Sequence, residues 1–346
     1  MNMDSRPKWP SHLIATVVAL VLAAFVIPVS SSAHSYHHKV DGVRAAIKHG
    51  TLRVRGNGQD NAVALRLKAG DPTRIEVDAG DNDSADFSFA RSDVSAIDVR
   101  TGNGDDSARV DDANGAFTDS IPTTISGGHG DDSLEGGQVQ VAAENETFKG
   151  GAGDDRVDGG KGNDTAYLGA GNDTFVWDPG EGSDVIEGQD GRDTMLFNGA
   201  AVAENVTLTA NGGRLTFFRD VGNVTMDTDG VEAVAFNALG DVDNVTVNDL
   251  TGTDVTKVDL DLAGTLGGGA GDGAVDNVVV NGTNGDDTIN IAGNGSGADV
   301  TGLAAAVSVV HADRADTLSV NTLVGNDNVA ANGVFGMQVL VDGAPI

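Results

Sequence analysis

The chain has 346 residues, a formal net charge of −31, no cysteine, 49 glycines and only 4 % aromatic residues. Phosphate recognition requires clustered Lys and Arg, so this charge argues against binding of nucleic acid or anionic lipid. The absence of cysteine excludes disulfides, so a bound metal ion is the cross-link that remains available to stabilise the fold. Composition alone fits a disordered chain, but short alternations of Val, Ile, Leu and Phe recur along the sequence and indicate strands.

Residues 1–33 have the pattern of a secretory signal peptide. A basic segment precedes an uncharged apolar run over residues 13–27, and small residues precede a predicted cleavage site after Ala33. An uncleaved membrane anchor is the alternative interpretation, although the apolar run is short for a span. Residues 34–49 contain several histidines for which no motif places a partner ligand, and we expect a mobile N-terminal tail there.

Residues 50–126 have the pattern of a module of short strands separated by turn residues. The opening of this module, 54–67, and its close, 99–112, resemble segments of two later modules, which we place at 197–279 and 280–346. The three modules predict diverged β-repeats on either side of the central segment. A row of separate β-sandwiches is the alternative interpretation.

The central segment, residues 127–196, consists of nine-residue lines, interrupted by the inserts GGQVQ at 136–140 and Trp177-Asp178. Glycine recurs at positions one, two and four, an acidic residue at position six, and a residue of core size at position eight. The position-eight residues are Leu134, Phe148, Val157, Ala166, Phe175, Ile186 and Met195. Glycines permit tight turns with exposed carbonyl groups, and the three residues after each turn suffice for one short strand. The pattern therefore predicts a parallel solenoid with two lines in each coil.

In such a solenoid the acidic residues stack along two edges. One edge would carry Asp132, Asp155, Asp173 and Asp193, and the other Glu146, Asp164 and Asp184. The segment holds 16 acidic and 4 basic residues, so the stacked carboxylates would repel one another. Calcium offsets this repulsion because it takes about six to eight carboxylate and carbonyl oxygens, whereas zinc favours His or Cys and magnesium requires a stricter octahedron.

The nine-residue lines resemble the calcium-binding nonapeptide GGxGxDxUx of RTX (hemolysin-type) proteins, in which U is a large apolar residue. The resemblance covers residues 127–196 and implies a secreted bacterial protein whose β-roll holds several Ca²⁺ ions. The implied metal ligands are the seven acidic residues of the two edges and glycines of the same turns, namely Gly128, Gly130, Gly151, Gly153, Gly160, Gly162, Gly169 and Gly171. The expected fold is all-β, a parallel β-roll or β-helix solenoid flanked by broader, diverged coils.

The sequence shows no HExxH, no GxSxG and no cysteine nucleophile, so we assign no catalytic residue. We expect a secreted, non-enzymatic protein, extracellular or at the cell surface, that folds on calcium and acts as a structural or adhesive module. Its expected partners are calcium ions and a cell-surface polysaccharide or protein, without membrane insertion of the mature chain. The alternatives are a polysaccharide-active enzyme with an acidic site in the diverged modules, and a fragment of an RTX toxin.

Overall fold

The structure, a computed structural model, describes residues 39–139, 145–334 and 336–346. The described residues form strands with the following bounds: β1 (Arg44–Lys48), β2 (Thr51–Arg55), β3 (Ala62–Lys68), β4 (Asp71–Ala79), β5 (Phe87–Ala90), β6 (Ala96–Asn103), β7 (Ser107–Asp111), β8 (Thr123–His129), β9 (Ser133–Glu135), β10 (Glu146–Ala152), β11 (Arg156–Asp158), β12 (Thr165–Gly171), β13 (Thr174–Trp177), β14 (Val185–Gly191), β15 (Thr194–Asn198), β16 (Asn205–Asn211), β17 (Arg214–Arg219), β18 (Val224–Asp229), β19 (Ala233–Asn237), β20 (Asn244–Val247), β21 (Lys257–Asp261), β22 (Asn277–Asn281), β23 (Thr288–Gly293), β24 (Ala298–Thr301), β25 (Ala306–Val310), β26 (Thr317–Asn321), β27 (Asn328–Asn332), β28 (Gln338–Val341) and β29 (Ala344–Pro345). Short 3₁₀ turns lie at Arg91–Asp93, Asp112–Asn114 and Val221–Asn223.

These strands build two long sheets with one continuous apolar core. Sheet 1 has the order β1-β2-β6-β8-β10-β12-β14-β18-β17-β16-β20-β22-β26-β28-β29. Sheet 2 has the order β27-β23-β24-β25-β21-β19-β15-β13-β11-β9-β7-β3-β4-β5. Buried and partly exposed side chains alternate along strands such as β21, as expected where one face of a sheet packs inward.

In the central segment the chain passes back and forth between the two sheets. The strands β8, β10, β12 and β14 are parallel neighbours in sheet 1, and β9, β11, β13 and β15 are parallel neighbours in sheet 2. Phe148 pairs with Ala166 in sheet 1, and Val157 pairs with Phe175 in sheet 2. All seven position-eight side chains are buried. The β-roll with two nonapeptide lines per coil, predicted from the sequence, is therefore confirmed.

The flanking coils continue the same two sheets. The opening and the close of each diverged module lie side by side in parallel register, as the pairs Val54 with Val99, Phe197 with Phe236, and Val280 with Val320 show. The repeated segments are therefore neighbouring coils of one solenoid rather than strands of separate β-sandwiches.

Three antiparallel meanders interrupt the parallel stacking, namely β3–β4–β5 and β23–β24–β25 in sheet 2 and β16–β17–β18 in sheet 1. The meander β16–β18 matters most for the site, because it separates β14 from β20 in sheet 1. Any row of side chains that follows the starts of the sheet 1 strands is therefore broken after β14.

The expectation of a mobile tail over residues 34–49 is wrong for residues 44–48. These residues form β1, which pairs antiparallel with β2, and Val43 and Ala45 are buried against the core because their apolar side chains cover its end. The predicted signal peptide, residues 1–33, lies outside the described residues. Among the residues that the structure describes, no helix has the length and apolar character needed to cross a membrane.

Candidate metal centre

Acidic residues form a hydrogen-bonded ladder along the first edge, where the chain passes from sheet 1 to sheet 2. The N–H of Asp132 donates to Asp155 Oδ1 at 2.8 Å, and the N–H of Asp155 donates to Asp173 Oδ1 at 2.7 Å. The N–H of Asp173 in turn donates to Asp193 Oδ1 at 2.9 Å. All four side chains are buried, so each coil holds the carboxylate of the next coil in a fixed position.

The first-edge ladder extends beyond the residues predicted from the sequence. The N–H of Asp106 donates to Asp132 Oδ1 at 2.8 Å, and the N–H of Asn61 donates to Asp106 Oδ1 at 2.6 Å. Asp106 follows Gly102 and Gly104, whose φ angles of 122° and 106° match the turns of the roll. This glycine spacing is the signal that could have identified Asp106. The neutral side chain of Asn61 then ends the row of carboxylates.

A shorter ladder follows the second edge, where the chain returns from sheet 2 to sheet 1. The N–H of Glu146 donates to Asp164 Oδ1 at 2.6 Å, and the N–H of Asp164 donates to Asp184 Oδ1 at 2.8 Å. The ladder ends at Asp184, because the next strand in sheet 1 belongs to the meander. There the main-chain N–H of Asp227 donates to the main-chain oxygen of Asp184, and no further carboxylate of the described residues joins the row.

The second oxygen of each ladder carboxylate is buried and has no hydrogen-bond partner. These free oxygens are Oδ2 of Asp106, Asp132, Asp155, Asp164, Asp173, Asp184 and Asp193, and both carboxylate oxygens of Glu146. A buried charged oxygen without a partner costs at least about 1–3 kcal/mol. Each of these groups therefore requires a cation or a proton.

Main-chain oxygens converge on the same space. A Cβ atom placed on Gly150 would overlap both Asp155 Oδ2 and the carbonyl oxygen of Leu168 in the next coil. A Cβ atom on Gly188 would lie 2.6 Å from Asp193 Oδ2 and would overlap the carbonyl oxygen of Gly230. The glycine at position one thus leaves room where a carboxylate and a carbonyl oxygen meet, and such a set of hard oxygens fits calcium.

The glycines predicted as carbonyl-exposing residues all adopt positive φ. The angles lie between 72° and 148° for Gly128, Gly130, Gly151, Gly153, Gly160, Gly162, Gly169 and Gly171. At Gly151 a Cβ atom would also overlap the carbonyl oxygen of Gly128 in the preceding coil. Residues with a side chain are therefore excluded from this position both by conformation and by space.

Burial changes the protonation of the ladder carboxyls. It raises the pKa of Asp155 and of Asp184 to about 7, and the pKa of Asp132 to about 6. Burial, together with the neighbouring carboxylate of Asp184, also raises the pKa of Asp164. Without a metal these carboxyls would retain protons close to neutral pH, so calcium and protons compete for the same oxygens.

A further ladder, formed by exposed side chains at position five, was missed from the sequence, because the pattern GGxGxDxUx leaves that position unspecified. The N–H of Asp154 donates to Asp131 Oδ1 at 2.8 Å, and the N–H of Asn172 donates to Asp154 Oδ1 at 2.7 Å. These bonds run in the opposite direction to those at position six. Adjacent coils are therefore joined by two hydrogen bonds at each turn, one accepted by a buried acid and one accepted by an exposed side chain.

Three further carboxylates, those of Asp158, Asp178 and Glu181, place one oxygen each within 4.8 Å of one another. Glu181 is buried, its Oε2 accepts a bond of 2.8 Å from the N–H of Asp178, and burial raises its pKa to about 9. Asp178 belongs to the two-residue insert that interrupts the nonapeptide lines. The spacing gave no reason to group these residues, because the insert shifts the chain out of the nine-residue period.

Comparison with known families agrees with this geometry. The family model of the RTX calcium-binding nonapeptide repeat matches the chain in four copies, over residues 124–138, 142–175 and 180–199. Searches of curated proteins and of solved structures each gave no significant match. The matched residues carry both ladders of the β-roll, from Asp132 to Asp193. The chain therefore contains RTX-type calcium-binding nonapeptide repeats.

Proposed function

We propose that the protein is a secreted, non-enzymatic solenoid that folds when calcium binds and acts as a structural or adhesive module at the bacterial cell surface. The observation that carries this proposal is the row of buried, unpaired carboxylate oxygens along both edges of the roll. Such a row is unfavourable without cations and becomes a set of ligands in their presence.

In this proposal each calcium ion lies between two successive rungs of a ladder. On the first edge the rungs are Asp132, Asp155, Asp173 and Asp193, and on the second edge they are Glu146, Asp164 and Asp184. Each ion takes carboxylate oxygens from the rungs and carbonyl oxygens from the glycine turns. The free Oδ2 of Asp106 adds one further calcium position to the first edge, between Asp106 and Asp132.

The energy of calcium binding is large enough to decide whether the roll folds. Extracellular calcium modules bind with a Kd of roughly 10⁻⁴–10⁻³ M. At about tenfold excess over Kd, one site stabilises the folded state by about 1.4 kcal/mol. About five independent sites would contribute about 7 kcal/mol, which is comparable to the whole stability of a small domain.

Secretion is supported by the signal-peptide pattern of residues 1–33 and by the chain's resemblance to exported RTX proteins. Sites of such affinity would be empty during synthesis at low calcium and filled outside the cell. Folding would then follow export, which suits a chain that must cross a membrane unfolded.

A non-enzymatic role is supported by the position of the acidic residues. In the roll the first oxygen of each aspartate rung accepts a main-chain hydrogen bond and the second oxygen is buried, so neither is presented to a substrate. Accepting a main-chain hydrogen bond and binding a calcium ion are both structural uses of these oxygens. The surface that remains to a partner is the outside of the solenoid.

The experiment for this function is retention of the purified mature protein on cell-wall polysaccharide and on intact cells, with and without calcium, beside assays for release of sugars. Calcium-dependent retention without sugar release supports the adhesive module. Sugar release by the purified protein would instead support the polysaccharide-active enzyme, whose acidic site would lie in the diverged modules and not in the roll. Calcium-dependent leakage of liposomes would indicate a toxin fragment.

A further inference from the structure

A third carboxylate ladder lies on the second edge beyond the meander, outside the residues that match the nonapeptide repeat. The N–H of Glu204 donates to Asp243 Oδ1 and the N–H of Asp243 donates to Asp276 Oδ1, both at 2.9 Å. The N–H of Asp276 donates to Asp316 Oδ1 at 3.0 Å. The bonding is the same as in the roll, although the turns here lack the glycine pattern.

Asp243, the second rung of this third ladder, has a buried oxygen without a partner. Asp243 is 1 % exposed, and its Oδ2 accepts no hydrogen bond. Burial, together with the neighbouring carboxylates of Asp276 and Glu204, raises the pKa of Asp243 to about 8. The ion pairs of the described residues do not include Asp243, whereas Arg219 pairs with Glu204.

The preceding rung, Glu204, provides a second free oxygen, which lies beside the turn that leads to Asp243. Arg219 Nε donates to Glu204 Oε1 at 2.8 Å, and this bond leaves Oε2 buried and unpartnered. A Cβ atom on Gly199 would lie 2.5 Å from Glu204 Oε2, 2.8 Å from the carbonyl oxygen of Asn237 and 2.9 Å from that of Ala238. Those two carbonyls belong to the turn that ends at Asp243.

This arrangement matches the one in the roll. At Gly150 the acid at position six of the turn and a carbonyl of the next coil also meet where a Cβ atom would lie. The shared feature is therefore an oxygen-lined space between two coils, formed around a glycine at position one. The same backbone path produces it without the remaining glycines of the motif.

We propose that Glu204 and Asp243 hold a divalent cation between their two coils, and that this site binds calcium independently of the nonapeptide repeats. The donors are carboxylate and carbonyl oxygens without nitrogen or sulfur, which favours calcium over zinc. Arg219 lies beside Glu204 and reduces the negative charge of the site. We therefore expect weaker binding than at the rungs of the roll.

The test measures calcium bound per chain by equilibrium dialysis on the purified full chain and three variants. Asp243→Asn keeps the shape and the acceptor for the N–H of Glu204 but removes the charge. The matched control is Asp241→Asn, an exposed residue of the same turn whose positive φ of 76° suits Asn. Asp173→Asn reports on the roll separately.

We expect Asp243→Asn to lose one calcium ion per chain and Asp241→Asn to lose none. If Asp173→Asn loses calcium while Asp243→Asn binds as much as the unaltered protein, the site at Glu204 and Asp243 is refuted and the roll stands. If no protein binds calcium, both proposals fail.

A second measurement does not depend on a variant that folds. In amide NMR spectra of the unaltered protein, calcium should shift the resonances of Glu204 and Asp243, whose N–H groups donate to the ladder carboxylates. These shifts should continue after the roll resonances have saturated, because the site is weaker. Amide shifts of Glu204 and Asp243 that are absent throughout the titration would contradict the proposal.

Discussion

The N–H of Asp155 donates to Oδ1 of Asp173, eighteen residues later, and Oδ2 of Asp173 stays buried without a partner. This relationship links the stacking of the coils to the binding of metal ions. The hydrogen bond fixes the spacing of two coils, and the remaining oxygen requires a cation or a proton. Because this arrangement repeats along two edges, we expect the stability of the roll to depend on calcium.

Calcium-free protein should lose order as the pH rises. The pKa values of Asp155 and Asp184 are raised to about 7, above the unfolded value near 4. The folded state then binds more protons than the unfolded chain, so its stability is full below about pH 4 and is lost as the pH rises through about 7. Far-UV circular dichroism of calcium-free protein should show more β-structure at about pH 5.5 than at about pH 8. Greater order at the higher pH would contradict this.

The place of an acid in its ladder should determine the effect of removing its charge. Asp164 lies between two rungs, whereas Asp184 is the last rung of its ladder, and both are 1 % exposed. Asp164→Asn should disturb two ions and Asp184→Asn only one, so the calcium-dependent gain in stability should fall about twice as far in the former. Calcium titrations followed by thermal unfolding measure this gain. Equal losses would mean that each turn binds its ion independently.

The neighbouring residues Asp154 and Asp155 should respond very differently to the same substitution by Asn. Asp154 is exposed and its Oδ1 only accepts hydrogen bonds, which Asn also does. Asp154→Asn should therefore change the free energy of unfolding by no more than about 0.5 kcal/mol. Asp155→Asn removes a buried ligand of two ions and should lose about 3 kcal/mol in about tenfold excess calcium. Chemical denaturation in calcium compares the two, and similar losses would remove the distinction between exposed and buried ladders.

Filling the space at position one should block calcium without removing any charge. In Gly150→Ala the new methyl group would overlap Asp155 Oδ2 and the Leu168 carbonyl oxygen. We expect this variant to require a higher calcium concentration for folding. Gly269→Ala is the control, because no heavy atom lies within 4 Å of the added Cβ. Equal calcium midpoints for the two variants would show that the space at Gly150 does not hold the ion.

The nine-residue period was sufficient to predict the roll, because each line contains a complete turn and strand with one inward side chain. It also placed Asp132 to Asp193 on one edge and Glu146 to Asp184 on the other. Asp106 escaped the period, since 26 residues separate it from Asp132 and its coil is longer than a nonapeptide pair. The period carries no information about coils of unequal length.

The meander β16–β18 could not be foreseen from local pattern either. Its strands show the same alternation as the parallel strands, and the direction of a strand is decided by the partner that it meets. The buried ion pair of Arg219 with Glu204 depends on that meander, because Glu204 immediately precedes β16 and Arg219 ends β17. The ladder from Glu204 to Asp316 therefore became visible only in three dimensions.

Hydrogen exchange of the full chain, resolved by peptide and measured with and without calcium, tests the central claim most directly. We predict that amides of residues 127–196, including those of Asp155 and Asp173, exchange slowly in calcium and lose this protection when calcium is removed at about pH 8. Peptides from β23 and β27, which lie at the end of sheet 2 several strands away from the nonapeptide lines, should change much less. Unchanged protection of residues 127–196 after calcium removal would contradict the account, because the ladders would then be stable without their ions.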